Sequence, residues 1–293
     1  MKTTTFFSHA QETLSAYIKN FLKEQKKVYS FPDKDSIHRM RVASRRLRVA
    51  FKTFKYLKLL PAKTIKKTEQ PIFLIASALG KAREIDVQRQ FLETLKNKIK
   101  NPLKTHGIDK IIELLNKERQ EKQKTIKQAL KSFKKGAELK KTCLSFNKKP
   151  LQQTPEILIK RLILKKLKDF LRYEPYVYTP HKGAQLHTLR ITAKKLRYTL
   201  EIFKILYGKK INRFIIAARQ IQDILGDLHE LDVWLSYLEK LSQKKNYAND
   251  LKPTIIYLEK KCETLRKKTY KKFVKKWHSL KVKKIWNQLK KIS

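Results

Sequence analysis

His38-Arg39-Met40-Arg41-Val42-Ala43-Ser44-Arg45-Arg46-Leu47-Arg48 is written twice in this chain. It returns as His187-Thr188-Leu189-Arg190-Ile191-Thr192-Ala193-Lys194-Lys195-Leu196-Arg197. Both copies read H-x-x-R-[VI]-x-[SA]-[RK]-[RK]-L-R. A second echo follows each one in the same order. Leu79-Gly80-Lys81-Ala82-Arg83-Glu84-Ile85-Asp86-Val87 matches Leu225-Gly226-Asp227-Leu228-His229-Glu230-Leu231-Asp232-Val233. The repeat also runs backwards without a gap: Phe21-Leu22-Lys23 stands to His38 as Phe170-Leu171-Arg172 stands to His187. Self-similarity of this length constrains the architecture before any local reading does.

Working outward, apolar residues recur at helical spacing and no alternating strand pattern survives. The expected fold is all-α: two four-helix bundles related by internal pseudo-twofold symmetry and packed as one body. The spacing predicts helices over 4–30, 35–60, 63–99 and 106–135, then 154–174, 182–207, 210–243 and a broken 248–291. Their ends fall at Phe31-Pro32-Asp33, Leu60-Pro61, Asn101-Pro102, Pro150 to Pro155, Glu174-Pro175 and Tyr207-Gly208. Residues 1–140 would form the first bundle and 150–293 the second. The Lys-rich, proline-bounded stretch 136–153 reads as the joint.

The charge is the next constraint. Lys and Arg number 71 against 25 acids in 293 residues, a formal net charge of +46. Such an excess opposes compaction and calls for a polyanionic partner. A hydrophobic content of 41% still provides a core and argues against wholesale disorder. The two cysteines, Cys143 and Cys262, lack ligand or redox spacing. With no apolar signal core at the N-terminus and no bilayer-length apolar run, the expectation is a soluble, cytoplasmic protein.

On a helical wheel His38, Arg41, Arg45, Arg48 and Lys52 fall within an arc of roughly 80°. Ile37, Met40, Ser44, Leu47, Phe51 and Phe54 make the neighbouring apolar arc. His187, Arg190, Lys194 and Arg197 repeat the stripe, with Glu201 in the place of Lys52. Leu186, Leu189, Ala193, Leu196, Leu200 and Phe203 repeat the apolar arc. Arg46 and Lys195 point to another flank. A solubilising face would lie opposite the core. A cationic row beside the core is instead the partly desolvated wall of a groove, suited to successive phosphates. Retention of the register in two diverged halves favours that role over ordinary exposed charge.

Two readings of His38 and His187 stand level: a helix-start histidine bonded to a neighbour, or an anion ligand. Neighbouring arginines disfavour the imidazolium and a bound polyanion favours it. No metal is expected, because His229 and Asp232 at i, i+3 lack further ligands. Gly80 and Gly226 lie mid-helix at a cost in stability, for which close helix approach is the expected reason. Asp86, Asp232, Glu84 and Glu230 are read as partners that hold basic side chains in place. Arg83 and His229 occupy equivalent positions and either face the anion or serve as salt-bridge partners. The basic stretch 265–286 is amphipathic. It either packs Phe273, Trp277 and Leu280 on its own bundle or touches a membrane surface.

The two motifs, found twice and in order, resemble the CHAD domain, the conserved histidine α-helical domain, over about residues 6 to 285 of this chain. The resemblance implies a single domain of two four-helix bundles that binds inorganic polyphosphate on a basic central surface, in association with polyphosphate granules. The family's motif positions map to His38, Arg41, Arg45, Arg46 and Arg48, and to His187, Arg190, Lys194, Lys195 and Arg197. With Lys52, Arg83 and His229 these are the expected polyphosphate contacts. The second copy departs by using lysine where the first has arginine, which gives up bidentate contact there. The strand signature of the triphosphate-tunnel domain attached to some relatives is absent, so the expected form is stand-alone, binding without catalysis or cofactor.

Two other functions compete. Non-specific nucleic-acid binding fits the bulk charge, but the aromatic residues fall at core spacing and no recognition module stands out. Phosphate chemistry on Mg²⁺ held by Glu84, Asp86, Glu230 and Asp232 lacks a nucleophile or phosphate loop beside those acids, and each acid has a basic neighbour.

Overall fold

Helix α2 (Lys34–Tyr56) shows how local chemistry sets the frame. Asp33 caps it by accepting from the Ser36 backbone N–H, and Asp35 lies in its first turn, where an acid suits the helix dipole. Ile37, Met40, Ala43, Ser44, Leu47, Phe51 and Phe54 are all buried, so the apolar arc is the packed face. The helix ends at Leu57, whose N–H returns to the Thr53 carbonyl, and Lys58 turns the chain with a positive φ of 56°. Pro61 then leads into the next helix, as it can where no N–H is needed.

The computed structural model describes residues 3–99, 101–133, 136–146 and 153–292, all without strands. The fold is all-α. The chain divides into two compact units, one of residues 1–99 and 109–159, the other of 100–108 and 160–293.

The first unit holds α1 (Thr3–Ser30), α2, α3 (Ala62–Lys96), most of α4 (Pro102–Ser132) and a short α5 (Gly136–Thr142). Helix α2 packs between α1 and α3. The expected joint at 136–153 is corrected over its described part. Helix α5 lies against α1 and α3 with Leu139 buried, and the Phe146 ring meets Phe54 at 5.8 Å. The Gln11 side chain donates to the Cys143 carbonyl at 2.9 Å. So α5 joins the four helices expected here, and the Lys-rich composition hid its two apolar anchors. The expected break at Pro150 lies outside the described residues.

The second unit is built from most of α6 (Pro155–Leu171), α7 (Gly183–Ile202), the one-turn α8 (Lys204–Tyr207), α9 (Asn212–Ser242), α10 (Lys245–Val282) and α11 (Ile285–Ile292). Short 3-10 turns cover Glu174–Tyr178 and Gly208–Ile211. Helix α9 packs against both α7 and α10. The tail resolves in favour of its own unit. Phe273, Trp277 and Leu280 are buried, and Phe170 meets Trp277 at 5.3 Å and Trp286 at 5.0 Å. Phe170 and its counterpart Phe21 are both fully buried. Among the described residues no helix is long and apolar enough to cross a membrane.

The cysteines are far apart in environment. Cys262 is fully buried on α10, and burial with Glu259 nearby pushes its thiol up to about 12. Cys143 is half-buried beside α5, its thiol raised by burial against the pull of Ser15 and Lys19.

Candidate anion-binding site

Packing of α2 on α3, and of α7 on α9, brings each cationic stripe against its own second motif. In the first unit Arg41, Arg45 and Arg48 are half-buried, as a row bordering the core must be, while Lys52 is exposed. Arg48 lies over the Phe73 ring at 4.9 Å, and Lys52 reaches Glu69 at 3.4 Å. His38 stands exposed at the head of the row. Partial desolvation first, then Arg83, Arg41 and Arg45, hold its imidazolium below the usual range against the weaker pull of Asp35. The field of Arg83 at His38 places α3's motif beside α2's stripe. Arg46 is half-buried on the other flank, where the wheel puts it.

The second unit assembles the equivalent residues with a different balance of charge. Arg190 and Lys194 are half-buried and Lys195 is exposed. The His187 and His229 rings face each other, centroids 4.1 Å apart and planes at 46°. The Nδ1 atom of His187 is buried and has no hydrogen-bond partner among the described residues. Burial, then Arg190 and Lys194, lower His187, with Asp232 opposing. Burial, then His187 and Arg190, hold His229 down to about 4, again against Asp232 and with a further push from Lys194.

Arg197 corrects the wheel. It is 8% exposed, and its Nη1 donates to Glu201 at 3.0 Å while its Nε donates to Gln222 at 3.1 Å. Its guanidinium also lies over the Tyr198 ring at 4.3 Å. Its Nε and one Nη donor are engaged inside the unit and the residue is buried, which sets Arg197 apart from the half-buried row of Arg190 and Lys194. Glu201, which replaces Lys52, is the residue that draws it inward. Arg219 approaches the same carboxylate at 3.9 Å.

The glycine expectation is also corrected. A methyl group on Gly80 would meet nothing within 4 Å, and one on Gly226 would meet only Arg190, whose Nε lies at 3.5 Å. No neighbouring helix presses on Gly80, which leaves a bare patch one turn before Arg83, whereas Gly226 is buried beneath the Arg190 side chain of α7.

The two aspartates of the second motif hold basic side chains, through partners that the repeat did not disclose. Arg119 of α4 donates from Nε to Asp86 at 2.9 Å and from Nη1 to Gln123 at 2.7 Å. Arg266 of α10 donates from Nε to Asp232 at 2.6 Å and from Nη2 to the Pro180 carbonyl at 2.9 Å. Asp232 also faces Gly183 in the first turn of α7. The separations in sequence are 33 and 34 residues, and that shared offset was the available signal. Glu84 and Glu230 are exposed. Among the described residues no cluster of three or more His, Cys, Asp or Glu could hold a metal ion.

Such a surface can bind an extended polyanion: forked and point-like cations in a row, partly desolvated. Comparisons with known proteins bear on its identity. The family model for the CHAD domain matches residues 12–239. The structure is similar to the crystal structure of the CHAD domain from the plant Ricinus communis, at 23% identity over 94% of this chain and 92% of that one, with a TM-score of 0.71. It is also similar to PptA from Streptomyces chartreusis, at 13% identity over 93% of this chain and 99% of that one, again with a TM-score of 0.71. No curated protein matches the sequence.

Proposed function

This chain belongs to the CHAD-domain family, and from that premise we propose that it binds inorganic polyphosphate, without catalysing its turnover, and acts at polyphosphate granules. One observation carries the reading. In each unit a half-buried cationic row lies against the second motif, Arg41 and Arg45 with Arg83 around His38 in the first, Arg190 and Lys194 around His187 and His229 in the second. Polyphosphate is a flexible line of closely spaced charges with no bases to stack, and a row of cations suits it; the exposed ring beside the row, Phe73, has the Arg48 guanidinium over its face. Of the four acids weighed for a catalytic Mg²⁺, Asp86 and Asp232 are paired with Arg119 and Arg266. The proposed contacts are His38, Arg41, Arg45, Arg46, Arg48, Lys52 and Arg83, with His187, Arg190, Lys194, Lys195 and His229.

The test is competition at physiological salt. Labelled long-chain polyphosphate bound to the full chain is challenged with single-stranded RNA, duplex DNA or heparin at equal anionic charge. Displacement only by unlabelled polyphosphate supports a shaped site. Equal displacement by all four overturns it and leaves a generic polyanion surface, with nucleic acid as the better reading.

A further inference from the structure

The two units carry the same frame with different charges. Arg83 corresponds to His229, Lys81 to Asp227 and Lys52 to Glu201. Each exchange removes permanent positive charge from the second unit. What stands there instead is a pair of imidazoles in ring contact, 4.1 Å between centroids, with one buried nitrogen of His187 lacking a hydrogen-bond partner among the described residues.

We propose that the His187–His229 pair makes anion binding by the second unit proton-coupled, while the first unit binds through fixed charge. The inference rests on the polyphosphate reading and adds regulation to it. Without ligand, two adjacent protonated rings would repel each other and the neighbouring Arg190 and Lys194, so the pair stands neutral near pH 7. A phosphate chain laid on the row supplies the negative charge that makes protonation favourable. The ligand then binds the protonated pair more tightly, and by linkage the proton tightens the ligand.

The groups around the pair act as follows. On α7, Arg190 and Lys194 oppose protonation. On α9, Asp232 favours it but is shared with Arg266 of α10. Asp227 on α9 lies between Lys272 of α10 and Arg190. Burial first, with Asp223 adding to it, raises its carboxyl against those two cations. The raised carboxyl of Asp227 gives up its charge at higher pH than an ordinary aspartate, and that loss, like protonation of the histidines, favours a polyanion. The 3-10 turn before α7 directs its Glu174 to Lys281, 3.0 Å away, and does not enter this balance.

The experiment is calorimetric titration of the full chain with long-chain polyphosphate at pH 7.5 and 5.5, each in two buffers of different protonation enthalpy. The difference between buffers counts protons taken up. The polymer's terminal phosphates titrate equally for every variant and cancel in comparisons. The expected wild-type result is uptake of protons on binding, with affinity rising roughly tenfold for each unit by which pH falls, per proton fully taken up. His229→Arg, which copies the first unit, binds more tightly at pH 7.5 and takes up fewer protons. Arg83→His takes up more. His187→Gln and His229→Gln carry the test if the arginine variant fails to fold, judged by circular dichroism, and both lose proton uptake. Equal proton counts in wild type and every histidine variant overturn the coupling. Absence of any polyphosphate binding at either pH overturns the functional reading itself, a distinct result.

Discussion

Replacing Arg119 with methionine tests whether the second-motif acids hold each unit together. The Arg119–Asp86 pair is enclosed, with side chains 13% and 8% exposed and 2.9 Å between Nε and Oδ1. Methionine fills much of the arginine's volume but leaves Asp86 buried with its charge uncompensated. Breaking a buried pair in this way costs about 3–5 kcal/mol. The counterpart Arg266–Asp232 is 20% and 30% exposed, so water screens it and Arg266→Met should cost on the order of 1–2 kcal/mol. Lys96 and Asp109, 39% and 44% exposed, form an equally short pair at 2.6 Å in which Lys96→Met should cost under about 1 kcal/mol. Length therefore predicts one ranking and burial another. The double variant Arg119→Met, Asp86→Leu removes both charges and should recover most of the loss, since an apolar replacement of a buried pair is often neutral. Urea unfolding at pH 7.5, followed by far-ultraviolet circular dichroism, gives all four values from shifts in midpoint at constant slope. The reasoning is refuted if Lys96→Met costs as much as Arg119→Met, or if the double variant is no more stable than the single one.

Four further outcomes are expected. Changing Arg41, Arg45, Arg190 and Lys194 to Gln should cut polyphosphate affinity steeply and lower the salt slope by about 3, at roughly 0.7 per contact as for a single strand. The same four-charge reduction at the exposed Lys124, Lys131, Lys260 and Lys261 should leave both nearly unchanged against a net charge of +46, and equal losses would defeat the site. Gly80→Ala should raise the melting temperature, worth about 1 kcal/mol from helix propensity, because the added methyl meets nothing within 4 Å; if polyphosphate lies on that patch, binding weakens while stability rises. Lys58→Gly should stabilise by roughly 1 kcal/mol through relief of its positive φ of 56°, read as a shift in urea midpoint. Stability should also fall as pH drops from the ordinary histidine value of 6.5 towards the His229 value of about 4, because acid protonates the unfolded chain before the folded one. The loss reaches at most about 3 kcal/mol, reduced by partial exposure, and His229→Gln should flatten that limb of the pH–stability curve.

The helices and the placement of the cationic rows were legible because both depend on spacing along one helix. A row at i, i+3 and i+7 beside an apolar arc must border the core, and Arg41 and Arg45 do. What spacing does not contain is the partner on another helix. Arg197 lies on the same wheel line as Arg48, yet Glu201 and Gln222 draw it inside. Gly80 and Gly226 signalled a special requirement without saying that it was open space at the first and room for the Arg190 side chain at the second. Arg119 and Arg266 sit in lysine-rich helices where one more cation carries no signal, and only their common offset from Asp86 and Asp232 marks them. Helix α5 was concealed in the same way, since two apolar anchors among lysines and prolines read as a connection.

The two cysteines amount to a pair of clocks. One lies in each unit, both thiols are pushed up, and Cys262 is closed to solvent altogether. In native buffer an alkylating reagent can modify Cys262 only when the packing that buries it on α10 opens, while the half-buried Cys143 reacts more readily. Intact mass over time then counts openings of each unit separately, on the unlabelled wild-type chain. Added polyphosphate should slow whichever clock belongs to the unit it grips.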